Sequence, residues 1–300
     1  MDDRNTPRVA ALPDGRLLSY RSIGPQDGVL VLYLHGALGS PPSACPHLEA
    51  LTSNLGIRYV MVSRPGFGGS DRAPRRTLLG FARDAAELAD HLGQERFAVV
   101  GVSAGAPYAL ACAHELPDRV AATAVVGGLA GPPTDLRLPS RLGLRALHAR
   151  PSACARAGDV LCAAARRHPR ALAALLRAGA TPADRRLLAE AEAEECAAVR
   201  FLAAASNGVG GMIDDVRICT RSWGFAPAGI RGLVQIWHGV QDPLVPVDHA
   251  IHLAAELPRA ELALHPDEGH FFYRRRLREI LGDLVVEMTS ATRARSRPAM

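Results

Sequence analysis

Lysine is missing from all 300 residues, so every one of the 35 basic side chains is an arginine. Chemistry that needs a lysine amine therefore has no candidate: a Schiff base to pyridoxal phosphate and the G-x-x-x-x-G-K phosphate loop are both excluded. Cysteine is sparse. The six (Cys45, Cys112, Cys154, Cys162, Cys196, Cys219) form no C-x-x-C pair and no set at metal-ligand spacing. They read as small, reduced, apolar residues, with no disulfide, structural zinc or other metal, and no cofactor expected. No apolar run approaches the roughly 18 to 20 residues that cross a bilayer, and Val29 to Leu34 has the length of a buried strand. No integral membrane span is expected. The first ten residues carry Asp2, Asp3 and Arg4 with no apolar core after them, unlike a secretory signal, which leads to the expectation of a cytoplasmic protein.

What is present is the composition of a folded domain, 48% hydrophobic and 22% charged. The formal charge of +5 is unevenly spread. Residues 141–186 hold ten arginines against Asp159 and Asp184, a local balance of +8, which leaves −3 for the remainder. Such a stretch reads first as a solvated helical face, although it leaves an anionic ligand possible. It lacks the interleaved aromatics of nucleic-acid modules, so no nucleic-acid partner is expected.

Along the chain, residues 8–12 and 16–20 flank Pro13-Asp14-Gly15 as an N-terminal antiparallel hairpin. Short apolar runs follow at Val29–Leu34, Ile57–Val62, Phe97–Gly101, Val120–Val126 and Leu233–Trp237, with a weaker one at Ala260–Leu264. Each is bounded by glycine or proline, as in strands covered on both faces. Leu78, Phe81, Ala85, Leu88 and Leu92 recur at helical spacing and stop before Gly93. Strands alternating with helices predict an α/β protein with a doubly wound, mostly parallel sheet. Between Gly131 and Trp223 the alternation breaks into Ala-, Leu- and Arg-rich segments punctuated by prolines. This predicts a core of residues 1–130 and 224–300 interrupted by a helical cap, residues 131–223. The segment 166–177 reads as one of its helices, with Leu172, Leu175 and Leu176 inward.

Gly101-Val102-Ser103-Ala104-Gly105 matches G-x-S-x-G, in which a serine sits on a sharp strand-to-helix turn. Chance supplies about 0.1 such matches from this composition, and here an apolar run leads in while a helix-compatible run leads out. A serine needs a base, and the base needs an orienting carboxylate. Downstream, Asp242 follows the run ending at Trp237, and His270 follows the one near Leu264. Loops at strand C-termini of a doubly wound sheet converge on one edge, so the three can meet. Asp135, His249 with His252, and His35 are weaker candidates: an alternative acid, a metal pair without further ligands, and a loop-stabilising residue.

With these motifs the chain resembles the α/β-hydrolases. His35-Gly36-Ala37-Leu38-Gly39 is similar to that family's oxyanion loop, and Ser63-Arg64-Pro65-Gly66-Phe67-Gly68-Gly69-Ser70 to its R-G-x-G-x-S turn, with Ser63 and Pro65 as departures. The resemblance implies Ser103 as nucleophile, His270 as base, Asp242 as orienting acid, and the N–H groups of Ala37 and Ala104 as oxyanion donors. It implies cleavage of a carboxylic ester, or a related acyl bond, of a small and largely apolar substrate. Serine rather than aspartate at the elbow argues against an alkyl-ester mechanism. Two other readings stay open: the same triad in C–C bond hydrolysis, cofactor-free oxygenation or perhydrolysis, and a non-catalytic ligand-binding member of the fold.

Overall fold

The computed structural model describes residues 6–37, 39, 46–131, 138–178, 180–189 and 201–295. Eight strands form one sheet: β1 (Arg8–Ala11), β2 (Leu17–Ile23), β3 (Val29–Leu34), β4 (Ile57–Val62), β5 (Phe97–Val102), β6 (Val120–Val126), β7 (Val234–Gly239) and β8 (Ala260–His265). Their order across it is β1-β2-β4-β3-β5-β6-β7-β8. β1 and β2 are antiparallel, β2 is antiparallel to β4, and every later pairing is parallel. The expected architecture is thus present, with the hairpin stitched to one edge. Its turn is longer than a two-residue loop: Leu12 N–H bonds the Arg16 carbonyl, and Gly15 alone takes a positive φ while Asp14 does not.

The apolar runs became strands because both their faces are covered. All six residues of β4, β5 and β7 are buried. One side is packed by α2 (Leu78–His91) and α3 (Ala106–Glu115), the other by α1 (Pro46–Asn54) and α10 (Tyr273–Arg295). α2 starts where the Thr77 hydroxyl accepts the Gly80 N–H at 2.9 Å, and the chain leaves it through Gly93 at φ 72°. β8 is the faint strand in the sequence because it is the sheet's edge, with Leu262 and Leu264 exposed.

Between β6 and β7 the described residues hold no strand. They form α4 (Leu138–Ala149), α5 (Pro151–Arg167), α6 (Pro169–Ala178), α7 (Pro182–Ala189) and α8 (Gly210–Cys219), with residues 201–204 also helical; α9 (Asp248–Glu256) lies between β7 and β8. Prolines at the first position of α5, α6 and α7 fit a site where the missing N–H costs nothing. Arg166, Arg167, Arg170, Arg185 and Arg186 are exposed, so this part of the basic stretch is a solvated face. Leu172 is half-buried; the side chains of Leu175 and Leu176, and all of Asp135, Cys45 and Cys196, lie outside the described residues. Cys112, Cys154, Cys162 and Cys219 are free thiols. Among the described residues no helix is long and apolar enough to cross a membrane.

Candidate active site

Ser103 follows β5 in a single tight turn, Ser103–Gly105, that opens α3. Its φ is +55°, and among the described residues no other non-glycine has a positive φ. That conformation costs an L-residue roughly 1–3 kcal/mol and persists only where the surroundings enforce it. They do so here by proximity. A Cβ at Gly105 would lie 2.1 Å from the Leu34 carbonyl oxygen, and one at Gly101 2.5 Å from the Gly105 carbonyl oxygen. Strand, turn and helix can approach this closely only with glycine at both positions.

The loop after β3 reaches the same point. The Cα face of Gly36 is against Ser103, where an added Cβ would be 3.3 Å from the serine Cβ and 3.7 Å from its Oγ. Ala37 follows directly, and Ala104 lies at the start of a helix, where N–H groups have no intrahelical acceptor. His35, fully buried, places Nδ1 2.8 Å from its neighbour's carbonyl, Gly36 O, and packs edge-on against Phe67. It shapes the loop.

On the neighbouring strands the other two predicted residues meet. His270 Nδ1 lies 2.6 Å from Asp242 Oδ2, in an almost fully buried pair. Asp242 Oδ1 also accepts the N–H groups of Leu244 at 2.8 Å and Val245 at 2.9 Å, which fixes the orientation of the carboxylate. With Nδ1–H donated to Asp242, the lone pair of His270 falls on Nε2. Gly127 locates this pair relative to the elbow. It follows Val126, which is paired in register with Val102, so it sits beside Ser103 at the ends of adjacent strands. A Cβ at Gly127 would be 3.5 Å from both Asp242 Oδ2 and the His270 ring. All three residues follow the C-terminal ends of parallel strands, at one edge of the sheet. His238, also next to Asp242 at 3.6 Å, is held below its ordinary pKa by burial and bonds the Val245 carbonyl at 2.9 Å. It remains a neutral packing residue under the acid.

Two carboxylates that motif spacing does not reveal hold this edge together. Asp184 of α7, almost fully buried, accepts the backbone N–H groups of His270 at 2.9 Å and Phe271 at 2.8 Å, and the Thr181 hydroxyl at 3.1 Å. The sequence signal, Thr181-x-x-Asp184, marks a helix start, but nothing local announces a partner 86 residues away. The second is Asp215 of α8. It pairs with Arg64 of the turn after β4 and accepts Arg76 Nη2 and the Tyr108 hydroxyl, each at 2.7 Å. Arg64 in turn donates to the carbonyls of His35 and Gly36 and lies over the rings of Phe67 and Tyr108. The turn thus acts on the loop beside Ser103. Burial pushes the Asp215 pKa up, but Arg64 and Arg76 outweigh it and hold the carboxyl at about 2.

The weaker candidates go elsewhere. His249 Nδ1 accepts the Ala130 N–H at 3.1 Å and His252 pairs with Glu256 at 3.0 Å, and no group of three or more metal-type ligands occurs among the described residues.

Comparison with known proteins agrees with this architecture. The chain is 35% identical over 117 residues to RutD of Caulobacter vibrioides, provisionally named a carbamate hydrolase; the match covers 38% of this chain and 43% of that protein. The curated relatives are thus matched over less than half of their own length. Two solved structures superpose over 95% of this chain and 99% of their own: a hydrolase from Pseudomonas aeruginosa (TM-score 0.71, 19% identity) and a thermophilic esterase from Thermogutta terrifontis (TM-score 0.69, 20% identity). The model of the alpha/beta hydrolase fold family matches residues 29–274, and the chain belongs to that family.

Proposed function

We propose that this hydrolase cleaves a carboxylic ester of a small, largely apolar substrate through an acyl-enzyme on Ser103. The observation that carries the proposal is the buried 2.6 Å contact between His270 and Asp242, at the same edge of the sheet as a serine in a strained turn. In this reading His270 Nε2 takes the Ser103 proton as Oγ attacks the acyl carbon. The N–H groups of Ala37 and Ala104 stabilise the resulting oxyanion, each contributing about 3–4 kcal/mol to the barrier reduction. The alcohol leaves with the proton held on His270, and a water activated by the same nitrogen then hydrolyses the acyl-serine. Asp242 stabilises the imidazolium.

The helices of 131–223 act as a cap in this account. They roof the acyl pocket, and two contacts support that placement: Asp184 on the histidine segment, and the Cys219 thiol 3.4 Å from the Ala104 carbonyl. The esterase title of one superposed structure and the carbamate name of RutD are consistent with acyl transfer to water. Turnover of p-nitrophenyl esters of increasing acyl length tests the proposal, together with labelling by a fluorophosphonate probe. Wild type is expected to hydrolyse short esters and label, and Ser103→Ala to lose at least about 10⁴-fold of kcat. A folded wild-type protein that never labels would make this a binding member of the fold.

A further inference from the structure

Behind α8 lies a pocket whose charges do not balance. Its volume is about 220 Å³, and Arg75, Arg76, Arg217, Arg221 and Asp214 line it. At about 100° per residue, Asp214 and Arg217 stand on the side of α8 opposite Cys219, the residue that touches the elbow. The helix therefore separates the pocket from Ser103.

The carboxylates nearby are already used. Asp214 receives Arg72 through Nε at 2.8 Å and Nη2 at 3.2 Å and lies 3.7 Å from Arg76, while Asp215 is shared by Arg64 and Arg76. Arg75, Arg217 and Arg221 have no carboxylate partner among the described residues. Arg221 Nε meets only the neutral ring of His148, at 3.1 Å. Arg217 Nε is buried with no hydrogen-bond partner among the described residues, a donor whose burial costs free energy. The field is felt locally: burial, and then the charges of Arg221 and Arg217, hold His148 below its ordinary pKa.

We propose that this pocket binds a small dianion of the phosphate class, either inorganic phosphate or a phosphomonoester. Three guanidiniums without a carboxylate partner among the described residues line it from two elements, the turn before α2 and the end of α8, and suit a tetrahedral group whose oxygens accept paired N–H sets. The volume is below the roughly 300 Å³ at which pockets for larger organic ligands begin, which suits a compact group. The site is separate from the ester-cleaving centre and does not depend on that reading.

Isothermal titration of the full chain with inorganic phosphate, at ionic strength held constant with chloride, tests it. Saturable one-site binding is expected, weakened at least about tenfold in Arg217→Gln and in Arg75→Gln. Thermal unfolding establishes that both variants fold, and neither residue belongs to the proposed catalytic machinery, so their ester turnover in phosphate-free buffer stays at the wild-type level. Glycerol phosphate in a parallel titration separates the two sources: tighter binding than phosphate assigns a phosphomonoester, equal or weaker binding assigns the free ion. Non-saturable heats, an affinity unchanged in both variants, or malonate binding as tightly as phosphate would each overturn the proposal.

Discussion

Asp215→Ala removes one carboxylate and strands two guanidiniums whose side chains are 0% and 3% exposed. They do not suffer equally. Arg76 keeps Asp214 at 3.7 Å and the carbonyl of Gly211 at 3.1 Å, so part of its charge stays matched. Arg64 has no second carboxylate, and its remaining acceptors are the His35 and Gly36 carbonyls. Breaking a buried pair from one side typically costs 3–5 kcal/mol, because the surviving charge is left without a counter-charge. For a chain of this size, each kcal/mol moves the thermal midpoint by about 2 °C, giving an expected fall of roughly 6–10 °C in calorimetry or circular dichroism. Arg276→Ala is the control, since the Arg276–Glu279 pair is exposed on both sides and such pairs are worth about 0–1 kcal/mol. The pH dependence adds an independent signature. The folded pKa of Asp215 is about 2, below the ordinary unfolded value of about 4. The part of its stabilisation that is linked to ionisation is therefore present above pH 4 and lost as pH falls toward 2, so the gap between wild type and variant should narrow over that interval. A variant within 1 kcal/mol of wild type at pH 7, or a control that loses as much, would refute the reasoning.

Further outcomes are expected from the site itself. Asp242→Asn should retain the fold yet lower kcat by about 10⁴-fold, because an amide no longer fixes the tautomer that leaves Nε2 basic; a loss below tenfold would remove Asp242 from its role. Asp184→Ala leaves two buried N–H groups unsatisfied, at about 1–3 kcal/mol each, and should lower kcat with little change in KM while Asp184→Asn recovers part of the loss. Equal changes in kcat and stability across the two variants would show a purely structural role. Gly105→Ala drives a methyl to within 2.1 Å of the Leu34 carbonyl oxygen, and the soluble, folded yield should collapse; a folded, labelled variant would contradict the close packing described for the elbow.

How much of this was legible from the residues depends on the range of the forces involved. β4, β5 and β7 announce themselves because burial on both faces demands an unbroken apolar run. Ser103 is visible because its backbone geometry needs glycine two positions before and after it. Asp242 and His270 could be named since strand ends converge by topology, a rule that needs no knowledge of side-chain contacts. β8 was faint because an edge strand shows apolar residues to solvent. Asp184 and Asp215 were illegible as site residues: their partners lie 86 and 151 positions away, and a charge on a helix has the same local appearance whether it faces water or an arginine.

The hook from Asp184 to the backbone of residues 270 and 271 has an engineering consequence. Transplanting the segment between β6 and β7 from another hydrolase, in order to change substrate preference, also swaps out the strut that steadies the imidazole. On the proposed function, chimeras will need an acidic residue delivered to the same spot, and those that lack one should turn over slowly whatever substrate the new segment accommodates.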